Sequence, residues 1–203
     1  TADGFFTLVA YSGIRLEHFR FDVFYVYKDD EHGAAGHVSG DESIRSHSYG
    51  FQTEIKPGDV FDASITLIRQ SGSYGNENLR AYGANGRAGI TAPVSWKPRI
   101  GGQVTWGSGD SDPDDGVWET FDGLYGGKDI YFYGCLNLFT WSNIWDHEIN
   151  FSVHPFKRVS AFVDYHYFTL DEARDAWYTT GMKEHRRDKD GVSGVVLGHE
   201  IDV

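Results

Sequence analysis

Four aspartates crowd the stretch GDSDPDDG: Asp110, Asp112, Asp114 and Asp115. Hard carboxylate oxygens at this density are what Ca²⁺ takes as ligands, so these four are the candidate metal residues. The run departs from an EF-hand loop: its glycine comes one position late, and its twelfth position is Phe121 instead of glutamate. A solvated acidic loop accounts for the same residues without an ion. Asp146, Glu148 and Asp164 offer a second chemistry, because glycoside hydrolysis needs two carboxyl groups flanking one bond. Strand acids on a polar face, however, more commonly line water or pair with cations. His147, His166 and His199 are scattered, with no H-E-x-x-H, and Cys135 is the only cysteine. Neither a cysteine-rich zinc site nor a disulfide framework is expected. No G-x-S-x-G supplies a serine nucleophile. The sequence therefore predicts no enzyme, and no cofactor beyond loosely bound Ca²⁺. Trp118 and Trp177 are the candidates for stacking on sugar or packing loops, whereas Trp96, Trp106, Trp141 and Trp145 suit interface belts.

The elements that carry these residues follow a period of two. In residues 14–28, IRLEHFRFDVFYVYK, one face holds Phe19, Phe21, Val23, Tyr25 and Tyr27, and the other His18, Arg20, Asp22 and Lys28. In residues 143–153, Trp145, His147, Ile149, Phe151 and Val153 oppose Asp146, Glu148, Asn150 and Ser152. Residues 159–167 set Val159, Ala161, Val163, Tyr165 and Tyr167 against Ser160, Asp164 and His166. Such alternation predicts strands with one apolar and one polar face. Nine are expected, at 5–12, 14–28, 43–55, 60–71, 79–91, 99–108, 136–153, 159–170 and 194–203, in one domain spanning 1–203.

After the second strand, connection lengths alternate. Residues 29–42, 109–128 and 171–193 are long, and 72–78 is of medium length. Residues 56–59, 92–98 and 154–158 are short and hold Pro57, Pro93, Pro98 and Pro155, where a missing N–H costs little. Antiparallel up-and-down strands place every second connection on the same side, so one end of the sheet carries long loops. Charge follows the same division. Loops 29–42 and 109–128 carry −5 each, and 171–193 and 72–78 carry −1 each, which accounts for the whole net charge of −12.

That charge excludes nucleic acid as the main partner. No run of 18 apolar residues exists, so no transmembrane helix is expected. A transmembrane strand needs only about 10 residues, apolar at alternate positions. Three all-β architectures fit: a sandwich, a soluble barrel, or a barrel with its apolar face in lipid. Several strands are longer than usual, and their polar faces hold Arg20, Asp22, Glu54, Asp62, Arg87, Arg99, Gln103, Asp146, Glu148, Asp164 and His166. Tyr25, Tyr27, Trp106, Trp145, Tyr165 and Tyr167 lie near strand ends, as in the aromatic girdles of membrane barrels.

Residues 106–203 contain GSGDSDPDDGVWETFDGLYGG, YGCLNLFTWSNI, DYHYFTLDEARDAWYTTG and GHEIDV. This set resembles the alginate export family of Gram-negative outer-membrane barrels. The matching residues are Gly109, Asp110, Pro113, Asp115, Gly116, Thr120, Phe121, Leu124 and Tyr125, then Tyr133, Gly134, Trp141, Asn143 and Ile144. They continue with Tyr165, His166, Asp175, Ala176, Trp177, Tyr178, Gly198, His199, Glu200, Ile201 and Asp202. The chain departs from the pattern after Gly134, where Asn137 stands in place of an aspartate.

The resemblance implies an antiparallel up-and-down transmembrane β-barrel of about eighteen strands in the outer membrane of a Gram-negative bacterium. Nine strands cannot close it, so the chain is expected to be a portion incomplete at both ends. The implied function is passive diffusion of anionic polysaccharide or small, often anionic, solutes. The expected pore lining is Arg20, Asp22, Arg87, Arg99, Asp146, Glu148, Asp164 and His166, with Lys28 beside them. The expected partners are outer-membrane lipid, lipopolysaccharide and the solute. Divalent cations would bridge lipopolysaccharide loosely to the acidic loop. A periplasmic or membrane partner complex leaves no mark in the sequence. Residues 106–127 become an outward-facing loop kept solvated by its acids. The alternative is a soluble carbohydrate-binding or carbohydrate-cleaving β-sandwich with the acidic loops as its site, which requires Phe19, Phe21, Val163 and Tyr165 to be buried.

Overall fold

Long runs of alternating residues leave the backbone one economical solution, which is to exchange hydrogen bonds between neighbouring extended strands. A computed structural model describes residues 4–31, 43–124 and 133–203. Its strands are β1 (Phe5–Leu16), β2 (Phe19–Asp30), β3 (Ile44–Ile55), β4 (Phe61–Tyr74), β5 (Glu77–Thr91) and β6 (Arg99–Gly107). They continue with β7 (Val117–Trp118), β8 (Ile144–Phe156), β9 (Val159–Thr169), β10 (Ala176–Tyr178), β11 (Glu184–Arg187) and β12 (Val196–Asp202). One sheet runs β1-β2-β3-β4-β5-β6-β8-β9-β12. Every neighbouring pair along that path is antiparallel. Short β7 extends it by pairing parallel with β5 beyond the end of β6, and β10 and β11 form a separate hairpin. The fold is all-β and up-and-down, and among the described residues β1 and β12 are the two open edges.

Four expected boundaries shift. Residues 14–16 belong to β1, and the first turn is Glu17–His18, so His18 sits in a turn and not on a strand face. Gly13 lies in mid-strand because a Cβ there would collide with the Asp22 carboxylate. Residues 72–78 form no loop: β4 and β5 run on to a two-residue turn, Gly75–Asn76, with Gly75 at φ 52°. A positive φ at the first turn position is what a type II′ hairpin needs from glycine. The strand expected from residue 136 starts at Ile144, because 133–143 fold as loop. The turn expected at 154–158 tightens to Lys157–Arg158 after an irregularity in the β8–β9 ladder. Most of the acidic loop 29–42 lies outside the described residues.

The two faces separate as the alternation predicts. Ile65, Leu67, Ile100, Val104, Ile149, Phe151, Val163 and Ile201 are exposed on the outer face. Of the four residues that a sandwich core must bury, Phe19, Val163 and Tyr165 are exposed and Phe21 is half-buried. Asp22, Ser46, Ser48, Gln70, Asn85, Gln103, Thr105, Asp146 and His166 are buried on the other face. The sheet curls around that polar face, since a single cavity is lined by residues from β3 through β9.

The buried polar face is covered by the protein's own loops. Ile44, Tyr74, Leu79 and Ala81 make its long-loop end apolar, and Trp118, Phe121, Tyr178 and Met182 pack there from the loops. Glycines make room. Gly83 faces inward, and a Cβ on it would lie 2.8 Å from Phe121 Cζ. Gly83→Ala is therefore expected to lower stability by about 1–3 kcal/mol through overpacking. Thermal unfolding in detergent checks this, and adding Phe121→Leu should recover part of the loss.

Candidate functional site

Ladder register carries the polar side chains into rows across the inner face. Arg20 lies opposite Glu54, Glu54 opposite Ser64, Ser64 opposite Arg87, and Arg87 opposite Gln103. Gln103 then lies opposite Glu148, Glu148 opposite His166, and His166 opposite Glu200. All eight residues expected to line the pore fall on this face. Five of them (Arg87, Arg99, Glu148, Asp164 and His166) line one open cavity of about 610 Å³, together with Glu54 and Asp62. Arg20 and Asp22 pair with each other on β2, away from that cavity. Asp146 lies fully buried beside His166, whose Nδ1 is 3.0 Å from Asp146 Oδ2.

The walls differ in sign. The Arg99 guanidinium grips both oxygens of Asp62 at 2.9 and 2.7 Å and donates to Asn150 Oδ1 at 2.7 Å. Arg87 donates to Ser64 Oγ at 2.9 Å and, among the described residues, has no carboxylate within ion-pair distance. Among the described residues, Arg87 and Lys56 are thus the cavity's cations without an ion pair. Across from Arg87, β8 and β9 present Glu148 and Asp164. Glu200 and Asp202 on β12 share this face but are buried, accepting the Leu136 and Cys135 N–H groups at 2.7 and 2.9 Å. Of the candidate glycosidase acids, Asp146 is buried and engaged by His166, so it does not face substrate-sized space.

The long-loop end is closed by a latch built from loop residues. Lys28, read as a candidate anion attractor, lies fully buried with Nζ 3.0 Å from Asp122 Oδ2. The backbone of Asp122 exchanges two hydrogen bonds with the Gln70 side chain, each 2.8 Å. Trp118 stacks on Tyr74 with ring centroids 4.1 Å apart, and Phe121 packs on Trp141 at 5.4 Å. Asp175 accepts hydrogen bonds from the Asp110 N–H, the Thr120 hydroxyl and the Tyr178 hydroxyl, at 3.0, 2.5 and 2.8 Å. Asn143 donates to the carbonyls of Glu172 and Ala176 and accepts from the Glu172 N–H. Asp171 Oδ1 accepts both indole N–H groups, from Trp106 at 2.8 Å and Trp145 at 2.7 Å.

These contacts correct the picture of a solvated outward loop, because Asp110, Asp122 and Asp175 are buried acceptors. Asp112, Asp114 and Asp115 stay exposed, so the four candidate Ca²⁺ ligands do not converge. Among the described residues, no group of three or more His, Cys, Asp or Glu side chains is arranged to hold a metal ion. Trp118 packs loops as one of its two expected roles. Trp177 packs loops too, against Phe139 and His185. Trp141 is part of the latch and not of a girdle. Burial, with the nearby Asp175 charge, pushes the Asp110 carboxyl up to about 7.

Compared with known proteins, residues 4–203 match the family model described as alginate export. No curated protein matches the chain.

Two outcomes test the latch. In an undocked loop Asp110 ionises near the usual aspartate value of about 4, whereas docked it keeps its proton to about 7. Docking is thus strongest below the lower value, weakens as pH rises between the two, and levels off above the upper one. Hydrogen exchange of residues 108–124 should show that slope, and Asp110→Asn should flatten it. Lys28→Met should release the loop by about 3–5 kcal/mol, the cost of stranding a buried charge. The Lys28→Met/Asp122→Leu pair should cost less, as read by proteolysis within residues 111–119.

Proposed function

The chain belongs to the alginate export family, and on that premise we propose that it forms wall and plug of an outer-membrane channel for carboxylate-bearing saccharides or smaller anionic solutes. The inner face meets water, the outer face meets lipid, and solute moves by passive diffusion. The supporting observation is sidedness: charged and amide side chains line the curled inner face while aliphatic and aromatic ones cover the outer. Backbone polar groups in lipid must pair internally, which is why a membrane-crossing sheet has to close. In this reading the missing wall is supplied by strands outside the described residues.

Solute passing the cavity meets Arg87 on one side and Glu148 and Asp164 on the other. Opposed charges hold a hydrated path open and orient a chain that carries both carboxylates and hydroxyls. Arg99 contributes less net attraction, because Asp62 neutralises it. No step of the transport needs a bond to be made or broken.

Conductance of the intact protein in a planar bilayer tests the proposal. One elementary charge about 10 Å from a permeating ion in water is worth about 0.4 kcal/mol, or about a factor of two in permeability ratio. Arg87→Gln should move the reversal potential in a salt gradient toward cation selectivity by that factor. Asp62→Asn, which frees the Arg99 charge, should move it the other way. A protein that needs no detergent and gives no conductance overturns the channel reading.

A further inference from the structure

The outer face carries a cation that the channel does not use. On β4, outward residues run Ile65, Leu67, Arg69, Ser71 and Ser73 from the short-turn end toward the long-loop end. Arg69 stands where apolar positions give way to polar ones. Register sets it directly between Tyr49 on β3 and Tyr82 on β5, both exposed. Nearby Arg45 is engaged by Asp29 at 3.1 Å, and Arg80 by Glu119 at 2.5 Å. Arg69 has neither ion pair nor hydrogen bond among the described residues, so its charge faces outward uncompensated.

Below it the same surface is hollow. A groove of about 460 Å³ lies over Gly86 and Gly102, walled by Ile65 on one side and by Val104, Ile149 and Tyr165 on the other. A Cβ on Gly86 would meet nothing within 4 Å, and its φ is not positive, so neither strain nor crowding dictates glycine there. Arg69 and Ile65 are four residues apart on one strand, about 14 Å along it. At the roughly 45° tilt of barrel strands that is about 10 Å of depth, inside the half-thickness of a bilayer's hydrocarbon core, about 15 Å. A headgroup at Arg69 therefore lays its tail across the groove.

We infer that this face holds one phosphate-bearing glycolipid of the outer leaflet, with its phosphate on Arg69 between two tyrosine rings and an acyl chain over Gly86 and Gly102. The inference rests on the reading that the outer face meets lipid. A guanidinium recognises phosphate through paired, charge-assisted hydrogen bonds. The tyrosines add flat amphipathic surface at the boundary between apolar tails and polar headgroups. The paired neighbours Arg45 and Arg80 leave the net attraction to Arg69 alone.

The test uses the intact protein in micelles, titrated with diphosphoryl lipid A or with the same lipid stripped of phosphate, and read by native mass spectrometry. The wild type should bind the phosphorylated form about tenfold more tightly, as expected for lost charge-assisted hydrogen bonds. Arg69→Gln should abolish that preference and Arg69→Lys should keep part of it. Gly86→Ile, which fills the groove, should weaken both forms equally. A wild type without phosphate preference, or an Arg69→Gln variant that retains it, overturns the inference. Conductance of the same preparations separates the two readings. A conducting protein with no lipid preference sinks this inference alone, while a detergent-independent protein that does not conduct sinks both.

Discussion

Register is the constraint on which the rest of this structure depends. Side chains alternate strictly along a strand, so a slip of one residue in the β4–β5 hairpin would turn Arg87 to the outer face and Tyr82 toward the polar interior. The ladders from β1 to β8 hold their pairing without interruption. The turns that set them are short: Glu17–His18 and Gly75–Asn76 leave no spare residue to absorb a slip. The cavity is a consequence of that fidelity, because its charged residues come from strands far apart in sequence. Asp62 and Arg99 meet across 37 positions only because β4, β5 and β6 are in step.

A polar inner face creates a second requirement wherever a loop covers it. Each buried donor or acceptor needs a partner, or docking costs more than it returns. The latch meets most of this demand by giving single side chains several duties, leaving Asp110 Oδ2, Ser142 Oγ and Trp177 Nε1 without a partner among the described residues. Asp171 takes two indoles and the Gly109 N–H. Asp175 takes three loop groups and lies 3.2 Å from Arg187 Nη2. Lys28 and Asp122 neutralise each other where neither reaches water. The remaining surface is covered by rings: Trp118 on Tyr74 and Phe121 over Gly83. Asp110, Asp122, Trp118 and Phe121 within residues 106–124 therefore serve to seal loop to strand on a face that is partly polar and partly apolar.

Strand existence, face assignment and the end bearing long loops were legible because alternation is a local signal repeated many times. All eight expected lining residues fall on the inner face for that reason. Whether a lining residue is free or paired was not legible: Arg20, Arg87 and Arg99 look alike in sequence, yet only Arg87 lacks an acidic partner among the described residues. Pairing depends on side chains one or more strands away, which pattern does not encode. The loop acids were misread for a related cause. DSDPDDG has the composition of a solvated turn, and three of its aspartates behave so, but Asp110 is drawn inward by Asp175, 65 positions later. The strings shared with the family mark that latch, through Asp110, Thr120, Phe121, Asn143, Asp175 and Tyr178, more than they mark the cavity.

The placement of the latch relative to the cavity bears on how such a channel selects. The latch fills the long-loop end of the inner face, and the cavity opens toward the short turns. In the proposed channel, a solute entering from the long-loop side would meet the plug before it met Arg87, so size would be judged before charge. Plug residues and the acidic wall also share elements: Asn143 immediately precedes β8, and Asp171 and Asp175 follow β9. The latch is thus anchored on the same strands that hold Glu148, Asp164 and His166. In the proposed channel, the plug that would sort by size and the wall that would sort by charge therefore rest on the same two strands, β8 and β9, instead of on independent parts of the wall.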